Sequence, residues 1–149
     1  MLFADPNTVL PPVDHAYNYW LDTTNGIVNP TEFDLPISGS NHSTIDYSGD
    51  VDTYRVYLAG GPGFAYDFDV DGGTDASGGT FDPIVALYDG NGTRVAIDDD
   101  SGPGLNAHID YPGAGEGPIS GGNYTLVVAG YGSETGDYTV RASYDDGIV

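Results

Sequence analysis

Three adjacent aspartates, Asp98, Asp99 and Asp100, follow the apolar run Val95 to Ile97 and precede Ser101-Gly102-Pro103-Gly104. Carboxylates this close repel one another, and a hard divalent cation relieves that repulsion by taking oxygens from carboxylates, backbone carbonyls and Asn amides. Asn106, a few residues on, offers one such amide. A solvated turn, with the aspartates splayed into water, explains the same stretch without an ion.

A hairpin reading brings in a fourth carboxylate. With Gly90 and Asn91 as the two turn residues, Asp89 pairs with Gly92, Tyr88 with Thr93, Ala86 with Val95, Ile84 with Ile97, and Asp82 with Asp99. Facing residues have Cβ atoms roughly 5 Å apart. Two unit charges at about 4 Å repel by about 4 kcal/mol at an effective dielectric of 20. Asp50 and Asp52 form a second acidic spot, two apart before a strand and so on one face; a polar strand start explains them equally well. A third, "DFDVDGGTD" from Asp67 to Asp75, imitates the start of an EF-hand loop but has Gly78 where the twelfth-position Glu belongs.

Catalytic signatures are missing: there is no G-x-S-x-G, H-E-x-x-H or P-loop. His15, His42 and His108 lack zinc-like spacing and read as surface or packing residues. The expectation is therefore a non-enzymatic chain whose ion is Ca2+, held by residues drawn from Asp50, Asp52, Asp82, Asp98, Asp99, Asp100 and Asn106.

Composition narrows the partners. The 149 residues carry 23 acids against three arginines, a formal charge of −20, which makes nucleic acid and anionic membrane surfaces very poor partners because both demand clustered positive charge. An Asp-rich, Lys-free surface also suits high salt. With no cysteine, disulfides and thiolate sites are excluded. No run approaches the ~18 apolar residues of a membrane span, and Met1 to Trp20 lacks the basic start and apolar stretch of a secretory signal.

The elements that must position these residues are short strands. "TYRVYL" alternates Tyr54, Val56 and Leu58 against Thr53, Arg55 and Tyr57; "FAYDFDV" alternates Phe64, Tyr66, Phe68 and Val70 against Ala65, Asp67 and Asp69. "PIVALYD" and "TRVAIDD" flank a Gly-rich turn, and "NYTLVVAGY" and "DYTVRASY" follow. With 23 Gly and 10 Pro there is little room for helix, so the pattern predicts an all-β antiparallel sandwich or jelly roll. Residues 1–30 read as a linker or N-terminal extension, 31–144 as the sandwich, and 145–149 as a tail.

The blocks "GDVDTYRVYLAGG", "FDPIVALYDGNGTRVAIDDDSGPGLN" and "GGNYTLVVAGYGSETGDYTV", in that order, resemble the bacterial pre-peptidase C-terminal domain family. The resemblance implies a jelly-roll module, not itself catalytic, appended to secreted peptidases, collagenases and repeat-in-toxin proteins, where it assists export, folding or substrate attachment. It also implies that Asp52, two before Tyr54, matches a calcium ligand of the collagenase members; the nearest counterpart of their upstream acidic segment is Val28 to Glu32. The "DDDSGPGLN" loop is close to the form in repeat-in-toxin members. The resulting expectation is a secreted bacterial calcium-binding accessory module, working beside neighbouring domains of a larger chain. The alternative is an adhesion module that binds extracellular polysaccharide or matrix protein through exposed aromatics such as Tyr111 or Tyr131.

Overall fold

The computed structural model describes residues 33–47, 50–113, 117–132 and 134–144. The expected extension 1–30, the tail 145–149 and the segment Val28 to Glu32 lie outside them. The described residues contain strands and no helix: β1 Phe33–Asp34, β2 Gly39–Ile45, β3 Val51–Leu58, β4 Tyr66–Asp75, β5 Pro83–Tyr88, β6 Arg94–Asp98, β7 Ala107–Tyr111, β8 Gly122–Gly130 and β9 Gly136–Tyr144.

Two sheets form, ordered β1-β3-β8-β5-β6 and β2-β9-β4-β7. All pairings are antiparallel except the two-residue β1, which runs parallel to β3. Because β2 pairs with β9, β3 with β8, β4 with β7 and β5 with β6, the chain is one long antiparallel ribbon, with the β5–β6 hairpin at its tip, rolled into a sandwich. This is the jelly-roll solution to burying two apolar sheet faces.

The predicted alternation sets the core. Tyr54, Val56 and Leu58 of β3 and Tyr66, Phe68 and Val70 of β4 turn inward and are buried, with Leu126, Val128, Tyr138 and Val140 from the partner strands. Phe64 precedes β4 and is exposed. β5 is buried along its whole length: Val85 and Leu87 enter the main core, while Ile84, Ala86 and Tyr88 join a smaller cluster with Val51, Val127 and Ala129 on the other face of the sheet.

The tip hairpin departs from the expected register. Ala86 faces Ile97 and Val85 faces Asp98, with an irregularity between Leu87 and Tyr88. The turn is longer than two residues: the Asp89 amide donates to the Thr93 carbonyl, and the Gly92 amide to the Asp89 carbonyl. Asp89 Oδ1 accepts from the Asn91 and Thr93 amides, and Gly92 takes φ +82°, which glycine adopts without strain. The side-chain carboxylate thus selects a wider turn than the Gly-Asn pair suggests. Asp82 and Asp99 are accordingly not strand partners. The shift in the body of the hairpin is two residues, so each side chain keeps its expected face.

Candidate metal centre

Four connections, 46–50, 76–82, 99–106 and 131–135, cross between the sheets at one end of the sandwich. The strand directions gather Asp50, Asp82, Asp99, Asp100 and Glu134 there. None of the three arginines lies in these connections: Arg55 and Arg141 are inside strands, and Arg94 begins β6 at the opposite end. Arg55 binds Asp34 and Arg141 binds Asp71.

Within this acidic end Asp82, Asp99 and Asp100 converge, each offering an oxygen within 4.8 Å of the others. Asp82 immediately precedes β5 and is held through its backbone: its amide donates to Glu134 Oε1 at 2.8 Å, and its carbonyl accepts from the Tyr131 amide at 2.9 Å. Asp99 and Asp100 follow β6 directly. Asp82 Oδ1 and Asp99 Oδ1 are buried and have no hydrogen-bond partner. A buried carboxylate oxygen left without a donor is costly. Burial, followed by the charges of Asp99, Asp100 and Glu134, pushes the Asp82 carboxyl up to about 7. Burial and then Asp100 push Asp99 up to about 6. Both groups therefore want either a proton or a cation, and an all-oxygen donor set suits a hard cation such as calcium.

The other expected ligands are placed elsewhere or are already engaged. Asp98 Oδ2 accepts from the Ser101 and His108 amides, at 3.0 and 2.9 Å, and so pins the connection to β7. Asn106 Oδ1 accepts from the Gly72 amide at 3.0 Å, tying the same connection to β4. Asp50 Oδ2 accepts from the Asp46 amide, and burial raises its carboxyl. Asp52 turns into the space between the sheets, where its Oδ2 accepts from Tyr138 Oη and from Ser43 Oγ. Burial raises Asp52 to about 6, although the Tyr138 hydrogen bond pulls the other way. Tyr138 in turn contacts Tyr54 Oη, which accepts from Asn41 Nδ2. Asp52 thus belongs to a polar seam joining the two sheets.

The EF-hand imitation is strand β4. Asp75 at its end accepts from the Ser77 and Gly79 amides and from Ser77 Oγ, shaping the next turn. Those bonds hold the exposed Asp75 carboxyl below its ordinary value.

Sequence reasoning missed two features. Glu134, a lone acid in a Gly/Ser turn, meets Asp82 only after the chain has wound back. The second is a cluster on the outer face of β4 and β7, where Asp67 faces Asp110 and Asp69 faces His108. His108 Nδ1 lies 2.6 Å from Asp69 Oδ1, and Nε2 lies 2.8 Å from Asp110 Oδ1 and 3.9 Å from Asp67 Oδ1. Burial opposes a charged ring, but the hydrogen bonds to Asp69 and Asp110 outweigh it and raise His108 to about 9. The period-two spacing of Asp67 with Asp69 and of His108 with Asp110 was the available signal.

The aromatics named for adhesion are partly buried and packed: Tyr111 meets Tyr124 edge-on at 5.8 Å, and Tyr131 rests on the outer cluster of β5. Tyr57 and Tyr144 are the more exposed tyrosines.

No protein-family model matches the chain, and no curated protein matches it. Among solved structures it is similar to the pre-peptidase C-terminal domain of a collagenase from Bacillus anthracis, with a TM-score of 0.55 at 14% identity over 78% of this chain and 98% of that one. It is also similar to PliG, a periplasmic inhibitor of g-type lysozyme from Aeromonas hydrophila, with a TM-score of 0.45 at 11% identity over 76% and 97%. The chain therefore has a β-sandwich fold that it shares with a pre-peptidase C-terminal domain.

Proposed function

We propose that this chain is a non-catalytic accessory module of a larger exported bacterial protein, and that calcium bound at its acidic end stabilises the folded form outside the cell. One observation carries the reading: Asp82 and Asp99 each bury a carboxylate oxygen with no donor, beside Asp100. Asp82, Asp99 and Asp100 would hold the ion, and Glu134 would position Asp82 through its amide. When bound, the ion supplies the positive charge that the connections lack. The fold shared with the collagenase domain supports an appended role.

The effect is thermodynamic. An ion bound only by the folded state adds about 2.7 kcal/mol at one hundred times its dissociation constant. Calcium sites of extracellular modules are filled even with dissociation constants of about 10⁻⁴ to 10⁻³ M. Where calcium is scarce, the same carboxylates repel and loosen the end that joins the sheets. Calorimetric titration of chelator-stripped protein tests this: calcium binds in that range, and Asp82→Asn with Asp99→Asn together abolish the binding. Absence of binding by the unmodified chain, at calcium concentrations well above that range, overturns the proposal.

Attachment to a polysaccharide or matrix protein is the second reading, favoured by the exposure of Tyr57 (65%) and Tyr144 (54%). A glycan and matrix-protein array tests it, with Tyr57→Ala and Tyr144→Ala expected to lose any binding seen.

A further inference from the structure

The outer face of the β2-β9-β4-β7 sheet holds a second cluster, chemically unlike the acidic end because an imidazole stands at its centre. Asp67 and Asp69 alternate on β4, and His108 and Asp110 alternate on β7, so antiparallel pairing sets all four on one face of adjacent strands. Nδ1 of His108 is engaged by Asp69 at 2.6 Å, which fixes the ring and leaves Nε2 directed at Asp110 and Asp67. A carboxylate behind one imidazole nitrogen, with the other nitrogen facing ligands, is the usual support of a metal-bound histidine.

We infer that His108 Nε2, Asp67 Oδ1 and Asp110 Oδ1 form a binding site for a borderline divalent cation of the zinc class, separate from the calcium end. Asp67, His108 and Asp110 each offer a ligand atom within 4.8 Å of those of the other two. In a tetrahedral zinc site, bonds of about 2.0 to 2.2 Å put neighbouring ligands about 3.3 Å apart. The observed separations from Nε2, 2.8 and 3.9 Å, fall on either side of that value. Charge points the same way. Asp67, Asp69 and Asp110 surround a single imidazole, and the nearest arginine along the sheet, Arg141, is turned to Asp71 at 2.6 Å. Even a charged ring leaves this patch net negative. The nitrogen ligand selects zinc over calcium, and the two-strand scaffold holds the ligands on rigid backbone. The metal takes the place of the proton on Nε2, and one coordination position stays open to water.

The test uses the full chain at pH 8 in millimolar calcium, which occupies the hard-cation end. Equilibrium dialysis with zinc is expected to give one tightly held ion, and cobalt is expected to give tetrahedral absorption bands at the same stoichiometry. His108→Gln weakens zinc at least tenfold while the calcium response persists. Asp110→Asn, on an exposed side chain, repeats the loss should the histidine variant fold poorly. In the unmodified chain, the ring resonances of His108 shift on adding zinc. No zinc uptake by the unmodified chain, uptake undiminished in both variants, or displacement of zinc by calcium overturns the inference. Failure of the calcium titration alone leaves these readouts unaffected, so the two readings separate.

Discussion

Asp82, just before β5, and Asp99, just after β6, are not paired across the hairpin, yet each buries a carboxylate oxygen without a donor at the same end of the sheet. Chain closure thus creates a repulsion at this end, which the proposed ion would relieve.

Removing one charge should therefore have opposite effects with and without calcium. Asp99→Asn is expected to raise the melting temperature of chelator-treated protein by a few degrees and to abolish the calcium-induced rise. In the unmodified chain the proposed site predicts a rise of about 5 to 10 °C, from about 2.7 kcal/mol and the usual temperature scaling for this size. Scanning calorimetry with and without chelator reads both. A calcium response that survives in the variant contradicts the assignment.

The pH dependence has a defined sign. Asp82 and Asp99 have folded values of about 7 and 6, above their ordinary 3.8. The metal-free folded state thus binds more protons than the unfolded chain between about pH 4 and 7, and its stability falls as pH rises through that window. His108, raised to about 9, acts in the same direction from its ordinary 6.5 upward. Asp75 and Asp110, both lowered, act oppositely, contributing above the ordinary carboxylate value and losing that contribution as pH falls through their depressed values. Urea denaturation in chelator should show greater stability at pH 5 than at pH 7.5, with the difference shrinking in Asp82→Asn and in saturating calcium.

Asn106→Ala separates structural from ligating roles. The side chain accepts the Gly72 amide, so its loss costs about 1 to 3 kcal/mol while calcium affinity stays unchanged. A matching loss of affinity, measured by calorimetry, would return Asn106 to the ligand set.

Tyr138→Phe removes the hydroxyl that Asp52 accepts between the sheets. It should destabilise the fold by about 1 to 3 kcal/mol and drive the Asp52 carboxyl higher, since that bond opposes the effect of burial. Carboxyl-carbon NMR titration follows Asp52 directly.

The sandwich was legible because each strand's apolar alternation states which face is inward, as Tyr54, Val56 and Leu58 show. The acidic loop was legible as composition. The exact hairpin register was not, because Asp89 folds its own carboxylate into the turn and draws in an extra residue, an interaction that Gly90-Asn91 does not announce. Asp50 and Asp52 were read as possible ion ligands, and nothing local reveals that Tyr138, far along the chain, supplies a donor to Asp52. His108 looked isolated because its partners on β4 become neighbours only through long-range pairing.

Among the described residues, the connections that cross between the sheets at one end are acidic and the arginines lie away from them, which concentrates negative charge at that end. An immobilised cationic resin is expected to attract that end first, and a dication bound there would weaken its hold. Elution from an anion exchanger should consequently move to lower salt once calcium is present, turning a packing detail into a chromatographic one.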